Sequence, residues 1–185
     1  MTESTPFFER LRIMWSHSLM VFRERDVAVF DRLEKEGSVR DALTYVAVAA
    51  AASGAFALGI GPGAFLGNVV GTVAGFFVFV ALVYYVGSRR GGTGTLAEVA
   101  YTFALFWAPL NVAFTLALFV LVISVVGLTV IPLLAILALG LNVWFAYLAT
   151  RASLNFTSAA MTITTLILAG AASLLVNLAF AALLA

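Results

Sequence analysis

The chain has 185 residues, of which 63% are hydrophobic and 10% are charged, and its formal net charge is +1. Soluble domains carry about 25% charged residues, so this composition excludes an ordinary water-soluble domain. The near-neutral charge predicts no nucleic-acid partner, and the absence of cysteine from the sequence excludes disulfides and thiolate metal sites.

Three stretches contain no Asp, Glu, Lys or Arg: residues 42–88, 99–150 and 152–185. A helix needs about 20 residues to cross the hydrocarbon core, so the first two stretches fit two spans each and the third fits one. With five crossings all ten Lys and Arg lie on one side, as the positive-inside rule predicts. We therefore expect an all-α polytopic membrane protein with five transmembrane helices, its N-terminus inside and its C-terminus outside.

Residues 1–38 are predicted to be a cytoplasmic helical segment. Apolar residues recur there every three or four positions, which predicts an amphipathic helix: Phe8, Leu11, Trp15, Leu19 and Phe22. A second short helix follows, which Asp26 can cap and Gly37 can end. The segment either docks a soluble partner or rests on the protein's own cytoplasmic face or on the membrane interface. The single histidine, His17, lies in this segment and is interpreted as a surface or interfacial residue.

Residues 39–185 are the predicted five-helix transmembrane domain, with spans at about 39–58, 64–86, 96–126, 129–150 and 157–183. In the second span Gly67, Gly71 and Gly75 leave one helix face without side chains, which suits close helix packing. We interpret this face first as an intramolecular contact, and alternatively as a homodimer seam or a substrate path. Residues 87–94 (GSRRGGTG) are predicted to be a flexible turn.

The third span begins at a Thr95-x-x-Glu98 capping box and is longer than the membrane core, so Pro109 is predicted to kink it. Glu98 is the only carboxylate associated with the spans. It either caps the helix or pairs with Arg90 or Arg151, which lie at the same membrane face.

Polar groups within the other spans are mainly amides. Asn111, Asn142 and Asn177, like Asn68, are interpreted as interhelical hydrogen-bonding groups or as ligand contacts. Because no histidine and no aspartate occur after residue 41, the spans cannot hold an aspartyl dyad or a histidine-ligated metal. The sequence therefore predicts that the protein is not an enzyme and holds no cofactor or metal.

An amphipathic segment (VFRERDVAVFDRLEKEGSVRDALTY) precedes two spans. A glycine turn then leads into the segment GGTGTLAEVAYTFALFWAPLN, and a closely spaced pair of spans and a final span follow. This order of parts resembles the small prokaryotic members of the Yip family, the Ypt/Rab-interacting proteins. The resemblance implies a membrane scaffold or adaptor with a role in membrane-protein organisation or trafficking. It also implies the prokaryotic cytoplasmic membrane as the location, and a membrane protein or a second copy of the chain as the partner, besides the lipid bilayer.

Two departures from the eukaryotic members argue against Rab binding. The Asp-Leu-Tyr-Gly-Pro motif before the membrane is missing, and Ala100-Tyr101 stands where those members carry Gly-Tyr. The alternative function is a small-solute or ion transporter or channel, or an accessory subunit of a transporter. In that case Pro109, Glu98 and the inner amides line a polar route, as broken helices do in carriers.

Overall fold

A computed structural model of the chain describes residues 6–59, 61–124 and 127–184. These residues form seven α-helices and one 3-10 helix, and no β-strand occurs among them. The helices are α1 (Phe7–Glu24), α2 (Val27–Leu33), α3 (Val39–Gly54), the 3-10 helix (Ala55–Gly59), α4 (Pro62–Arg89), α5 (Leu96–Val122), α6 (Gly127–Ser153) and α7 (Ala159–Leu184). The all-α prediction is confirmed for this part of the chain. Residues 125 and 126, at the end of the predicted third span, lie outside it.

Local chemistry sets several of the helix starts. Ser38 and Asp41 form a complete capping box at α3, and Thr95 forms the second one with Glu98 at α5. Such boxes satisfy backbone N–H groups that have no partner within the helix. Pro62 occupies the first turn of α4, where its missing N–H costs nothing.

Four helices are long and apolar enough to cross a membrane: Pro62–Arg89, Leu96–Val122, Thr129–Ser153 and Ala159–Ala179. They indicate a polytopic membrane protein. The predicted first span is different, because α3 has only 16 residues and continues as a 3-10 helix of five residues. Five crossings therefore remain a prediction, and so does the kink at Pro109, which lies inside the continuous helix α5.

The long helices form a bundle in which α3 packs against α4 and α5, α5 packs against α6, and α7 packs against α4 and α6. Arg89 at the end of α4, Glu98 at the start of α5 and Arg151 near the end of α6 lie at one end, which we call the charged end. The glycine-rich turn of residues 87–94 also lies there. It is packed rather than open, because the backbone N–H of Thr93 donates to the carbonyl oxygen of Leu154 at 3.2 Å.

The two N-terminal helices cover the charged end. Rings of α1 and α2 join a cluster of aromatic side chains inside the bundle: Phe22 lies 5.0 Å from Phe145, and Phe30 lies 6.5 Å from Phe106. Phe106 in turn stacks on Phe145 at 5.7 Å. These helices therefore share one core with the spans. This packing agrees with the interpretation in which the N-terminal segment rests on the protein's own face.

Helix α1 is apolar on both sides. Its face towards the bundle consists of Met14, Ser18 and Val21, which are buried. Part of the predicted apolar stripe points away from the bundle, since Phe8 is 81% exposed, whereas Phe22 packs against the core. Residues of the stripe and residues beside it therefore both hold α1 on the protein.

Candidate functional site

A cavity of about 570 Å³ lies between α4, α5, α6 and α7. Aromatic side chains from α4 and α5 form much of its wall, and Phe76 contacts Trp107 with ring centroids 5.2 Å apart. The size is typical of a small-molecule site. Its lining residues are Gly71, Thr72, Gly75, Phe76, Phe79, Phe103, Phe106, Trp107, Asn111, Leu139, Asn142, Val143, Ala146, Leu166 and Gly170.

The lining contains no charged residue, and its amides come from two facing helices, Asn111 from α5 and Asn142 from α6. The side-chain N–H of Asn111 donates to Ser53 Oγ of α3 at 2.9 Å. Asn142 instead donates to the carbonyl oxygen of Ala138 in its own helix at 2.8 Å. The predicted interhelical bond is therefore formed by Asn111 and not by Asn142.

Both amides lie at mid-depth in the bundle. Asn111 follows the start of α5 by 15 residues, and Asn142 follows the start of α6 by 15 residues. At 1.5 Å per residue each amide is about 22 Å along its helix. Because α5 and α6 begin at opposite ends of the bundle and each has 27 residues, the two amides lie within about 6 Å of the same level.

The glycine face of α4 is not an intramolecular helix contact. A Cβ atom built at Gly67, Gly71 or Gly75 meets nothing within 4 Å among the described residues. The predicted intramolecular packing is wrong, because the space beside Gly71 and Gly75 belongs to the cavity instead of to another helix. Asn68, on the same helix, does face a neighbour: a Cβ at Gly54 of α3 would lie 3.0 Å from its Oδ1.

Glu98 acts as a helix cap. The backbone N–H of Thr95 donates to Glu98 Oε2 at 2.6 Å, and the backbone N–H of Glu98 donates to Thr95 Oγ1 at 3.3 Å. The alternative ion pair is wrong for the described residues. Arg90 donates to Thr164 Oγ1 at 2.7 Å and Arg151 donates to Tyr147 Oη at 3.3 Å, so neither guanidinium turns to the capping carboxylate.

Asn177 does not take part in the cavity. It is exposed on α7 and donates to the carbonyl oxygen of Ser173 in its own helix at 2.8 Å. Pro109 lies on the other side of α5, in a second apolar groove of about 370 Å³ between α3 and α5. Trp15 of α1 lies at this groove as well.

Glu34 is a feature that the sequence did not reveal. It follows α2 at the charged end, is only 5% exposed, and its Oε2 has no hydrogen-bond partner among the described residues. Burial, together with the nearby carboxylates of Glu98 and Asp31, raises the pKa of Glu34 to about 7. No periodicity or motif marks this position. Because a helix end rich in Lys and Glu is usually solvated, the sequence alone does not indicate that Glu34 is buried.

A second unforeseen junction joins the N-terminal segment to α5. Tyr101 is fully buried, its hydroxyl lies 2.8 Å from His17 Nδ1, and its ring lies directly against Gly37. Beside it the hydroxyls of Ser18 and Tyr45 are 3.0 Å apart. Burial lowers the pKa of His17. His17, which the sequence predicts to be a surface or interfacial residue, is half-buried and bonded to Tyr101.

The described residues contain no cluster of three or more His, Asp or Glu side chains that suits a metal. The chemistry available in the cavity is hydrogen bonding by two amides and Thr72 within an apolar, aromatic wall. No family model, no curated protein and no solved structure matches the chain. The resemblance to the Yip family therefore stays a prediction.

Proposed function

We propose that this chain is a non-enzymatic, five-span integral membrane protein of the Yip type, which acts as a scaffold or adaptor for another membrane protein. In this proposal the charged end faces the cytoplasm of a prokaryotic cell, and the C-terminus lies outside. The partner, either a different membrane protein or a second copy of the chain, binds through helix-helix contacts within the bilayer.

The dimensions of α3 support the fifth crossing. Its 16 residues span about 24 Å at 1.5 Å per residue, and the five residues of the 3-10 helix add about 10 Å at 2.0 Å per residue. Together they match a hydrocarbon core of about 30 Å. Arg40 and Asp41 lie in the first turn of α3, where they remain at the charged end.

The open glycine face of α4 is the observation that carries the scaffold proposal. Helices in lipid associate mainly by close packing, and small residues four positions apart let two backbones approach. Since no helix of the described chain fills the space beside Gly67, that space is available to a helix from outside the chain.

The absence of cysteine from the sequence makes a direct test possible. A Gly67→Cys variant, crosslinked in native membranes with a short thiol reagent, should give one defined adduct, either with a partner or with a second copy. Gly140→Cys is the matched control, because Gly140 is also open but has no small-residue partner four positions away on α6. Equal adducts at both positions, or none at Gly67, would contradict the proposal.

A transporter, or an accessory subunit of one, is the second candidate, and the central cavity favours it. The cavity occupies the place where a packed bundle would hold interlocked Leu, Phe and Val side chains. Its uncharged lining suits an apolar solute better than an ion, because a charge at mid-depth costs several kcal/mol unless it is paired. Flux of a labelled apolar solute in proteoliposomes containing this chain alone would favour transport over scaffolding.

A further inference from the structure

We infer that the central cavity binds a neutral single-chain lipid of the monoacylglycerol class, with its hydrocarbon chain against the aromatic wall and its hydroxyl or ester group at Asn111 and Asn142. The two proposals concern neighbouring parts of one face of α4: the partner helix packs beside Gly67, and the lipid occupies the cavity beside Gly71 and Gly75.

The wall of the cavity fits a hydrocarbon chain. Five aromatic rings line one side, Phe76, Phe79, Phe103, Phe106 and Trp107, and aliphatic side chains of α6 and α7 line the other. The rings are packed together, since Phe79 and Phe103 have centroids 5.9 Å apart and Phe103 and Phe106 have centroids 5.4 Å apart. They therefore do not collapse into the space, which a chain of CH₂ groups can fill with favourable dispersion contacts.

The route into the cavity leads from the bilayer. Leu139 and Val143 of α6 line the cavity and are still 65% and 56% exposed. They lie at mid-depth of a helix that is apolar enough to cross a membrane, so the surface around them faces lipid tails. Bilayer amphiphiles therefore reach this opening, whereas water-soluble metabolites do not.

The two amides require an occupant with a hydrogen-bonding group. A carboxamide offers two N–H donors and an acceptor oxygen with two lone pairs. Asn111 and Asn142 each use one N–H on a protein acceptor, and among the described residues no protein group donates to either side-chain oxygen. A polar group in hydrocarbon without a partner costs free energy, so a hydroxyl that donates to these oxygens stabilises the complex.

The same lining selects against charged and doubly chained lipids. No Lys, Arg or His lies in the cavity to pair with a phosphate or a carboxylate, and burying such a charge at mid-depth is unfavourable. The volume of about 570 Å³ also lies in the range of small-ligand sites. A single chain with a glycerol ester satisfies the apolar wall, the amides and the lack of charge together.

Trp107 provides the measurement, because it lines the cavity and is one of only three tryptophans in the sequence. The reporter protein carries Trp15→Phe and Trp144→Phe, so that Trp107 alone fluoresces. Purified reporter is titrated with dibromostearoyl glycerol, whose bromine atoms quench tryptophan on contact, and in parallel with dibrominated phosphatidylcholine. We expect saturable quenching by the monoacylglycerol at low mole fraction, reversal by unbrominated monoacylglycerol, and weaker quenching by the phosphatidylcholine.

Two variants of the reporter and one control variant distinguish the contribution of the cavity wall from that of the amides. Gly170→Leu fills the cavity from α7, where a Cβ meets nothing within 4 Å, and should abolish saturable quenching. Gly140→Leu adds the same side chain at an open position of α6 outside the lining and should leave it unchanged. Asn142→Leu keeps the side-chain size and should raise the half-saturating concentration about three- to tenfold, the effect of one neutral hydrogen bond.

Equal quenching by the two brominated lipids would overturn the inference, since it means that bulk acyl chains enter without recognition. Quenching that is unaffected by Gly170→Leu would also overturn it, because the lipid then contacts Trp107 from outside the cavity. If Gly170→Leu fails to fold, the Asn142→Leu titration decides instead, and an unchanged half-saturating concentration counts against the inference. The Gly67 crosslinking experiment is a separate measurement, because Gly67 is not among the residues that line the cavity.

Discussion

Replacing Glu34 by Gln removes an ionisable group from the interior of the charged end. An ordinary Glu loses its proton near 4.5, whereas in the folded protein burial and two neighbouring carboxylates raise the pKa of Glu34 to about 7. Between these values the folded state holds a proton that the unfolded state has released. The free energy of unfolding therefore falls as the pH rises from about 4.5 to about 7, and stays low above that.

The magnitude follows from the two pKa values. The interval from 4.5 to about 7 corresponds to at most about 3.5 kcal/mol, at about 1.4 kcal/mol per pH unit. Gln keeps the shape of the protonated side chain and never ionises. We expect Glu34→Gln to be more stable than the wild type by up to about 3.5 kcal/mol at pH 8.5, and by less than about 1 kcal/mol at pH 4.5.

Thermal unfolding in detergent, followed by intrinsic tryptophan fluorescence, measures this difference. For a chain of this size 1 kcal/mol shifts Tm by about 2–4 °C, so the variant should melt up to about 7–14 °C higher at pH 8.5. Glu9→Gln is the control, because its surface ion pair with Arg12 contributes at most about 1 kcal/mol. A Glu34→Gln variant that melts with the wild type at both pH values, or below it at pH 8.5, would refute the burial of this carboxyl group.

Two further predictions concern the junctions of the charged end. Gly37→Ala should lower Tm strongly and free α1 for proteolysis, because its Cβ would overlap the ring of Tyr101, whereas Gly140→Ala, at an open position inside α6, should leave Tm unchanged or raise it by a few degrees. Thr95→Ala removes the side-chain cap of α5 and should lower the free energy of unfolding by about 1 kcal/mol in the same melting assay. Thr95→Ser keeps the hydroxyl and should retain most of the wild-type stability. Equal melting of both variants would contradict the capping role.

Helix starts with local signals were predictable from the sequence. The Thr95 and Glu98 pair at α5 and the Ser38 and Asp41 pair at α3 each act within three residues of themselves. The long uncharged stretches likewise predicted the apolar helices, since the length of an uncharged segment is visible without knowing its neighbours. The all-α character of the described residues follows from these two signals.

Features that depend on which helices meet were not predictable in the same way. The spacing of Gly67, Gly71 and Gly75 predicts a helix contact equally well inside or outside the chain, and only the arrangement of α4 and α7 decides between them. The burial of Glu34 depends on α2 packing against α6, with Glu98 at the start of α5 nearby. Sequence periodicity shows that α1 is amphipathic, but it did not show that Met14 and Val21, which lie beside the predicted stripe, are buried.

Crossing of the membrane by α3 is the central claim, because it fixes the number of spans and places the ends of the chain on opposite sides. Single cysteines at Glu36 and Gly59 flank this helix, in a chain that otherwise has none. An impermeant maleimide added to intact cells should label Gly59→Cys and leave Glu36→Cys unlabelled until the cells are broken. Labelling of both positions from the same side would show that α3 does not cross, and would reduce the protein to the four spans that its longer helices provide.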